Sequence, residues 1–216
     1  NLNAITRITY PDGRHEDYAY STCCPRLLDS ATDRAGRLTT YEYDALKRLI
    51  QVVNPEKGVV RNEYDANGNH TSLADPNGNI TTFDYDAANR LTRKTYADGN
   101  GLSFAYDVAG LLTNRTSGRG LRTAYRYDAN HNLLAINYSD GTPAVTNTYD
   151  EYNRLVKVRD GVGDSTNVYD ADSRLILHDG PWTNDAITYA YDVLGRRTNL
   201  VVQGGSAATG YNYDNL

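Results

Sequence analysis

Nine Tyr-Asp dipeptides are the residues of this sequence with the most obvious capacity for chemistry. A phenol beside a carboxylate could serve as an acid–base pair. Adjacent side chains on a β-strand point to opposite faces, however, and a single active site has no use for so many pairs. We therefore predict a structural role for these pairs, no catalytic residue and no enzymatic activity. The pairs are Tyr43-Asp44, Tyr64-Asp65, Tyr85-Asp86, Tyr106-Asp107, Tyr127-Asp128, Tyr149-Asp150, Tyr169-Asp170, Tyr191-Asp192 and Tyr213-Asp214.

Two Asp-rich turns, Asp65–Asn69 and Asp75–Asn79, place oxygen ligands two residues apart, as calcium loops do. The EF-hand pattern has glycine at its sixth position and glutamate at its twelfth, whereas these turns have glycine at the fourth and lack the glutamate. Asp also starts turns without a metal, because its side chain bonds nearby backbone amides. No metal site and no cofactor are therefore predicted. The histidines are scattered along the chain and no G-x-S-x-G motif occurs, so no nucleophilic triad is predicted either.

A few residues depart from the pattern of the Tyr-Asp segments and are candidates for special roles. Cys23 and Cys24 are adjacent, so a bond between them would close a strained eight-membered ring. Free thiols, such a vicinal disulfide, and part of a metal site with His15 all stay open. His70 occupies a position that Leu holds in six other copies. Trp182 lies in the insertion HDGPWTND and is either a plug over the sheet or a contact point. His70 and Trp182 are the candidate contact residues.

The Tyr-Asp pairs recur at intervals of 20 to 22 residues, which reveals an internal repeat. A degenerate further copy begins at Tyr20, where Ser21 replaces the aspartate. The third residue after the aspartate is Gly, Asn or His in six copies, and these types tolerate positive φ. This pattern predicts a three-residue hairpin loop in which one left-handed residue forms a bulge. Lys47 and Ser173, at the same position, fit that loop least well.

A second, glycine-containing turn lies midway between successive Tyr-Asp turns, so that turns come about every ten residues. Its glycines are Gly13, Gly36, Gly58, Gly78, Gly99, Gly120 and Gly141, with looser copies at Gly161 or Gly163, Gly180 and Gly205. Two turns per repeat predict two antiparallel strands per repeat. The residue two before the tyrosine is aromatic or Asn, and alternation of side chains along the strand would align it with the tyrosine in aromatic ladders.

Residues 1–216 are accordingly predicted to be a single array of about ten repeats of about 21 residues. The predicted fold is all-β, a curved antiparallel sheet of consecutive β-hairpins with about 19–20 strands. A β-propeller is the rival, since two repeats match one four-stranded blade, but the repeats do not alternate in character. Both ends of the sequence, at Asn1-Leu2 and at YNYDNL, fall within a Tyr-Asp turn. This predicts an array truncated at both ends, with edge strands able to self-associate.

Composition excludes two classes of partner. The net charge is −5, with 27 acidic and 22 basic residues, which argues against nucleic acid because phosphate binding needs a basic surface. No run of about 18 apolar residues occurs, so no membrane span is predicted. The 19 Tyr and 18 Gly, and an acidic complement made of 22 Asp and only 5 Glu, are typical of short strands joined by tight turns.

The stretch YDAANRLTRKTYADGNGLSFAYDVAGLLTNRTSGRG resembles the YD repeats of Rhs (rearrangement hotspot) proteins. Related repeats occur in the C components of insecticidal toxin complexes, in wall-associated bacterial proteins and in teneurins. The resemblance covers essentially the whole chain, because tyrosine, aspartate, turn glycine and leucine recur in phase. It implies a long antiparallel sheet that spirals into a hollow shell around a variable C-terminal polypeptide, often a toxin. No segment matches the self-cleaving end of such shells, so autoproteolysis is not expected.

The resemblance also implies the setting in which the chain works. The expected function is a non-enzymatic segment of a YD-repeat shell that encapsulates or presents a C-terminal toxin-like polypeptide. The alternative is an extracellular adhesion or carbohydrate-binding module. The expected partners are the flanking repeats and cargo of the parent chain, with glycans or a surface receptor for the alternative. The expected location is secreted or at a bacterial cell surface, as part of a larger protein.

Overall fold

The computed structural model describes residues 4–24, 26–204 and 208–213. Within these ranges the chain forms 20 β-strands and no helix. The strands are β1 Arg7–Thr9, β2 His15–Tyr20, β3 Leu28–Thr32, β4 Leu38–Tyr43, β5 Leu49–Val53, β6 Val59–Tyr64, β7 His70–Ala74, β8 Ile80–Tyr85, β9 Leu91–Thr95, β10 Gly101–Tyr106, β11 Leu112–Ser117, β12 Arg122–Tyr127, β13 Leu133–Tyr138, β14 Val145–Tyr149, β15 Leu155–Arg159, β16 Asp164–Tyr169, β17 Leu175–Asp179, β18 Ile187–Tyr191, β19 Arg197–Val202 and β20 Ala208–Gly210.

The strands form an antiparallel sheet of consecutive hairpins, which confirms the predicted fold class and strand number. The chain divides into two units, residues 1–103 and 104–216. In the first unit each strand pairs with the next along the chain, from β1–β2 to β9–β10. In the second unit the same holds from β11–β12 to β19–β20.

In the described part of the sheet almost no side chain is fully buried. Ala135 and Ala186, at 8% and 7% exposure, are its only buried hydrophobic residues. Side chains instead alternate between a half-buried and an exposed face, most regularly in β8, where Thr81, Phe83 and Tyr85 are half-buried and their neighbours are exposed. The repeat tyrosines share the half-buried face. Apolar burial against a second layer therefore does not stabilise these strands, and most of the support comes from within the sheet.

A break in strand register precedes seven of the Tyr-Asp turns. In the β4–β5 hairpin, Glu42 pairs with Gln51 but Tyr43 pairs with Leu49, so Ile50 is the extra residue of a bulge. The predicted left-handed position is confirmed in every such turn from Lys47 to Gly195. This includes Lys47 and Ser173, the two residues whose types fit positive φ least well. The residues with positive φ are Lys47, Gly68, Asn89, Gly110, His131, Asn153, Ser173 and Gly195.

The second turn of the repeat is less uniform. Six of its glycines, from Gly13 to Gly141, have positive φ between 77° and 86°. In the turn containing Gly58, the left-handed residue is Lys57, at φ 67°. Gly58 is needed there for space, since a Cβ on it would lie 2.8 Å from the Asn54 amide and 2.9 Å from the Pro76 ring. The predicted turn glycine Gly205, and the sequence ends at Asn1-Leu2 and Asp214, lie outside the described residues.

Candidate functional site

The aspartate side chain accepts hydrogen bonds from backbone N–H groups of its own Tyr-Asp turn. In the turn of Asp44, carboxylate oxygen Oδ1 accepts hydrogen bonds from the backbone N–H groups of Leu46 and Arg48, both at 2.9 Å. The backbone adds two bonds, from the Lys47 N–H to the Asp44 carbonyl and from the Asp44 N–H to the Arg48 carbonyl. The same pair of side-chain bonds recurs at Asp86, Asp107, Asp128, Asp150, Asp170 and Asp192.

These contacts favour the ionised carboxylate. The backbone N–H of Arg48 lowers the pKa of the Asp44 carboxyl most, partial desolvation opposes it, and the Arg48 guanidinium lowers the pKa further. The pKa of Asp170 is lowered by the same contacts from Arg174. A carboxylate held in this way is a poor proton donor or acceptor near neutral pH. The turn aspartates are thus arranged for structure and not for acid–base chemistry.

The residue four positions after the aspartate forms hydrogen bonds both to that aspartate and to the turn of the next repeat. Arg48 donates from Nε to Asp44 Oδ2 at 2.7 Å and from Nη1 to the Asp65 carbonyl at 3.0 Å. Its guanidinium carbon lies 4.7 Å from the centroid of the Tyr64 ring, a cation–π distance. Arginines that pair with their own aspartate and lie over the next repeat tyrosine in the same way are Arg154, Arg174 and Arg196.

Asparagine takes this linking role after Asp65 and Asp128, whereas Leu111 stands at the same position after Asp107. Asn69 Nδ2 donates to Asp65 Oδ2 and to Asn89 Oδ1 in the following repeat, both at 2.8 Å. Asn132 makes the equivalent bond to Asn153 at 2.8 Å. Because Asn89 and Asn153 occupy the left-handed turn positions, the link again reaches the tip of the next turn.

The repeat tyrosine reaches in the opposite direction, to the preceding repeat. The Tyr127 hydroxyl donates to the carbonyl of Leu112 at 3.0 Å, and burial raises the pKa of this phenol. The acceptor is the residue that follows the preceding Tyr-Asp turn. Equivalent bonds of 2.8 to 3.1 Å are made by Tyr43, Tyr64, Tyr85, Tyr149, Tyr169, Tyr191 and Tyr213. We call the aspartate, the residue four positions after it and the tyrosine of the following repeat the repeat clamp.

His70 forms an aromatic row with Tyr64 and Phe83. His70 lies between Tyr64 and Phe83, with ring centroids 5.3 and 5.0 Å apart, and its Nε2 is 3.0 Å from Asn62 Oδ1. His70 is therefore wedged, half-buried, inside the row of side chains. His178 contacts Asn167 Oδ1 through Nδ1 at 2.8 Å in a similar way. For the repeat tyrosines, hydroxyl-to-carbonyl bonds are the recurring link.

Trp182 is displayed to solvent and does not plug the sheet. Its exposure is 66%. The loop that carries it is fixed by Asp185, whose carboxylate accepts the N–H groups of Gly180 and Trp182, both at 3.1 Å. Asp185 thus holds the backbone of this loop, and the Trp182 side chain is exposed to solvent.

Cys23 and Cys24 are free thiols whose Sγ atoms lie 2.9 Å apart, and Ser21 Oγ is 3.2 Å from Cys23 Sγ. In the described ranges, no group of three or more His, Cys, Asp or Glu side chains could hold a metal ion. The same ranges contain no helix that is long and apolar enough to cross a membrane.

Comparison with known proteins gives one family and a set of structures. The family model described as Teneurin YD-shell matches residues 29–169. The crystal structure of TcdB2-TccC3 without its hypervariable C-terminal region aligns with a TM-score of 0.60 and 16% identity, over 90% of this chain and 14% of that chain. The Tc holotoxin pore of Photorhabdus luminescens aligns with a TM-score of 0.54 and 15% identity, over the same shares. No curated protein matches. The chain thus spans about one seventh of the length of these structures.

The tyrosine bond can be tested with Tyr127→Phe. Loss of the hydroxyl leaves the Leu112 carbonyl without this donor, so we expect the free energy of unfolding to fall by about 0.5–1.5 kcal/mol. The measurement is urea denaturation of the full chain. Tyr152→Phe is the control, because Tyr152 is 67% exposed at a turn tip. Equal stability of the two variants would contradict the proposed contribution of the bond.

The aspartate bonds predict a dependence of stability on pH. The pKa of folded Asp170 lies below the ordinary value of about 3.9, so the stability it contributes is present above that value and is lost as the pH falls through the folded pKa. We expect Asp170→Asn to be less stable than the wild type at pH 7, and the gap to close in acid. Denaturation midpoints between pH 7 and pH 2 measure this. Asp84→Asn, which changes an exposed carboxylate within β8, should keep the wild-type profile.

Proposed function

The chain belongs to the Teneurin YD-shell family, and from that premise we propose that it is a wall segment of a shell enclosing a toxin-like C-terminal polypeptide of its parent protein. A YD-repeat array of this kind has a shell-forming, structural role. The observation that carries the proposal is the repeat clamp, which joins neighbouring turns in phase along each unit. The proposed mechanism is confinement: a wall of bonded strands separates the enclosed polypeptide from proteases and from its own targets.

The tyrosine and aspartate side chains make structural hydrogen bonds, which supports a role as a wall and not as an active site. The tyrosine hydroxyls are engaged by carbonyls and the turn carboxylates by backbone amides, so the residues with the most chemistry are already bonded. Within each unit almost no described side chain is buried, so a face of the strands is left to meet an enclosed polypeptide. Similar structures carry the array within much longer chains, which supports flanking repeats of the parent chain as partners. The proposed location is secreted or at a bacterial cell surface.

The test is protease protection of the C-terminal segment in the intact parent protein. With the wall intact, we expect the enclosed segment to resist a protease that digests it when it is expressed alone. Arg154→Ala removes the bonds to Asp150 Oδ2 and the Asp170 carbonyl, so it should loosen the wall and speed cleavage severalfold. Arg159→Ala is the matched control, because Arg159 pairs with Asp164 outside the repeat clamp. Equal cleavage of the segment inside and outside the parent would overturn the proposal.

The second candidate function is an adhesive contact, and Trp182 is the observation that favours it. An indole held outward by a fixed loop can stack on a sugar ring or enter a receptor pocket. Binding of the chain to a glycan array, lost in Trp182→Ala and kept in Tyr152→Ala, would support this function. Absence of binding by the wild type, or binding that survives Trp182→Ala, would refute it.

A further inference from the structure

The turn between β2 and β3 lacks the aspartate that closes the other Tyr-Asp turns. Ser21 stands in its place, and the loop is longer, because Tyr20 pairs with Leu28 while Tyr43 pairs with Leu49. Its backbone is held by two strong bonds, Ser21 N–H to the Leu27 carbonyl and Leu27 N–H to the Cys24 carbonyl, both at 2.8 Å. A weaker bond of 3.3 Å runs from the Cys24 N–H to the Ser21 carbonyl. Ser21, Cys23 and Cys24 bring a hydroxyl and two thiols together in this turn.

The two thiols are already in contact. The distance of 2.9 Å between the Sγ atoms is less than 1 Å longer than a disulfide bond of about 2.05 Å. Cys23 is exposed and Cys24 is half-buried, so reagents can reach the pair. Both line a cleft of about 510 Å³ on one side of the turn, together with Lys47 from the next repeat. A small disulfide-containing molecule therefore has both room and access.

The two thiols are not equivalent. Hydrogen bonding by the Cys24 thiol, and then by Ser21 Oγ, lowers the pKa of Cys23, with Lys47 lowering it and Asp29 raising it more weakly. The same contact with Cys23 raises the pKa of Cys24, while Lys47 lowers it. Because thiolates and not thiols attack disulfides, and because Cys23 is exposed while Cys24 is half-buried, Cys23 is the first nucleophile.

We propose that Cys23 and Cys24 form a redox modification site, at which a reversible vicinal disulfide forms within the turn that lacks the aspartate. The oxidant is a low-molecular-weight disulfide of the glutathione class. The Cys23 thiolate attacks one sulfur, a mixed disulfide forms and one thiolate leaves. Cys24 then loses its proton to water and attacks Cys23 Sγ, releasing the second thiolate. Two protein thiols are oxidised by two electrons, and one small disulfide is reduced to two thiols.

The bond so formed is easily reduced. Adjacent Cα atoms are about 3.8 Å apart across a trans peptide, below the usual range of about 4.4–6.8 Å for bridged cysteines. A strained and exposed disulfide has a more oxidising potential than a structural one. The site therefore follows the surrounding thiol–disulfide balance and does not act as a permanent staple. This inference is independent of the proposed shell function.

The test is mass spectrometry of the full chain after incubation with oxidised glutathione, acid quenching and alkylation. We expect a monomer lighter by two hydrogen atoms that takes up no alkylating reagent, and that regains two reactive thiols in excess reduced glutathione. A product that stops at a mixed disulfide, forms linked dimers or stays fully alkylatable would overturn the proposal.

Single substitutions test the order of attack. Cys24→Ser keeps the first nucleophile and should accumulate a stable mixed disulfide at Cys23. Cys23→Ser leaves only the half-buried Cys24 thiol and should react severalfold more slowly, because oxidised glutathione reaches this thiol less easily. Equal rates for the two variants would overturn the assignment of Cys23 as the attacking thiol. Hydrogen exchange of the Cys24 amide should differ between the oxidised and reduced wild type, because ring closure disturbs its bond to Ser21.

Discussion

Strands that bury almost no side chain must be stabilised by bonds to their neighbours within each unit, and the rest of this structure depends on that constraint. Most globular proteins place one face of a sheet against a second layer and gain stability by burying apolar side chains. In the described part of this chain only two alanines are buried. The backbone ladder satisfies the peptide groups, but hairpins of five or six residues per strand are marginal alone. Side-chain bonds between neighbouring hairpins supply the additional stabilisation.

The repeat clamp provides those bonds in both directions along each unit. The tyrosine hydroxyl reaches back to a carbonyl of the preceding repeat, and the arginine or asparagine reaches forward to the next turn, as Arg154 does to the Asp170 carbonyl. The aspartate fixes the turn from which the forward link starts. Each repeat therefore contributes mainly to the stability of its immediate neighbours, as in other repeat proteins. The turn that contains the free thiols Cys23 and Cys24 has Ser21 in place of the aspartate of the repeat clamp.

Local features of the fold could be predicted from the sequence, because they depend on a few neighbouring residues. The hairpin turns were predicted even at Lys47 and Ser173, since the phase of the repeat outweighs the preference of one residue. The acceptor of the tyrosine hydroxyl could not be predicted, because it depends on the register between strands of different repeats. The arginine of the repeat clamp was visible in segments such as YDEYNRL, but its partners lie 16 to 19 residues away. The exposure of Trp182 depends on Asp185 fixing a loop that has no counterpart in other repeats.

The tyrosine bond also constrains how such a chain can change in length. The repeat tyrosine hydroxyls meet carbonyls 14 to 16 residues earlier, so the intervening turn accommodates a change of one or two residues, whereas the loss of half a repeat would separate donor and acceptor. Removal or duplication of one whole repeat leaves a junction like every other, with its aspartate, linking residue and tyrosine in place. Gains and losses of sequence are therefore tolerated in whole repeats. The length of such an array can change by whole repeats without redesign of any single contact.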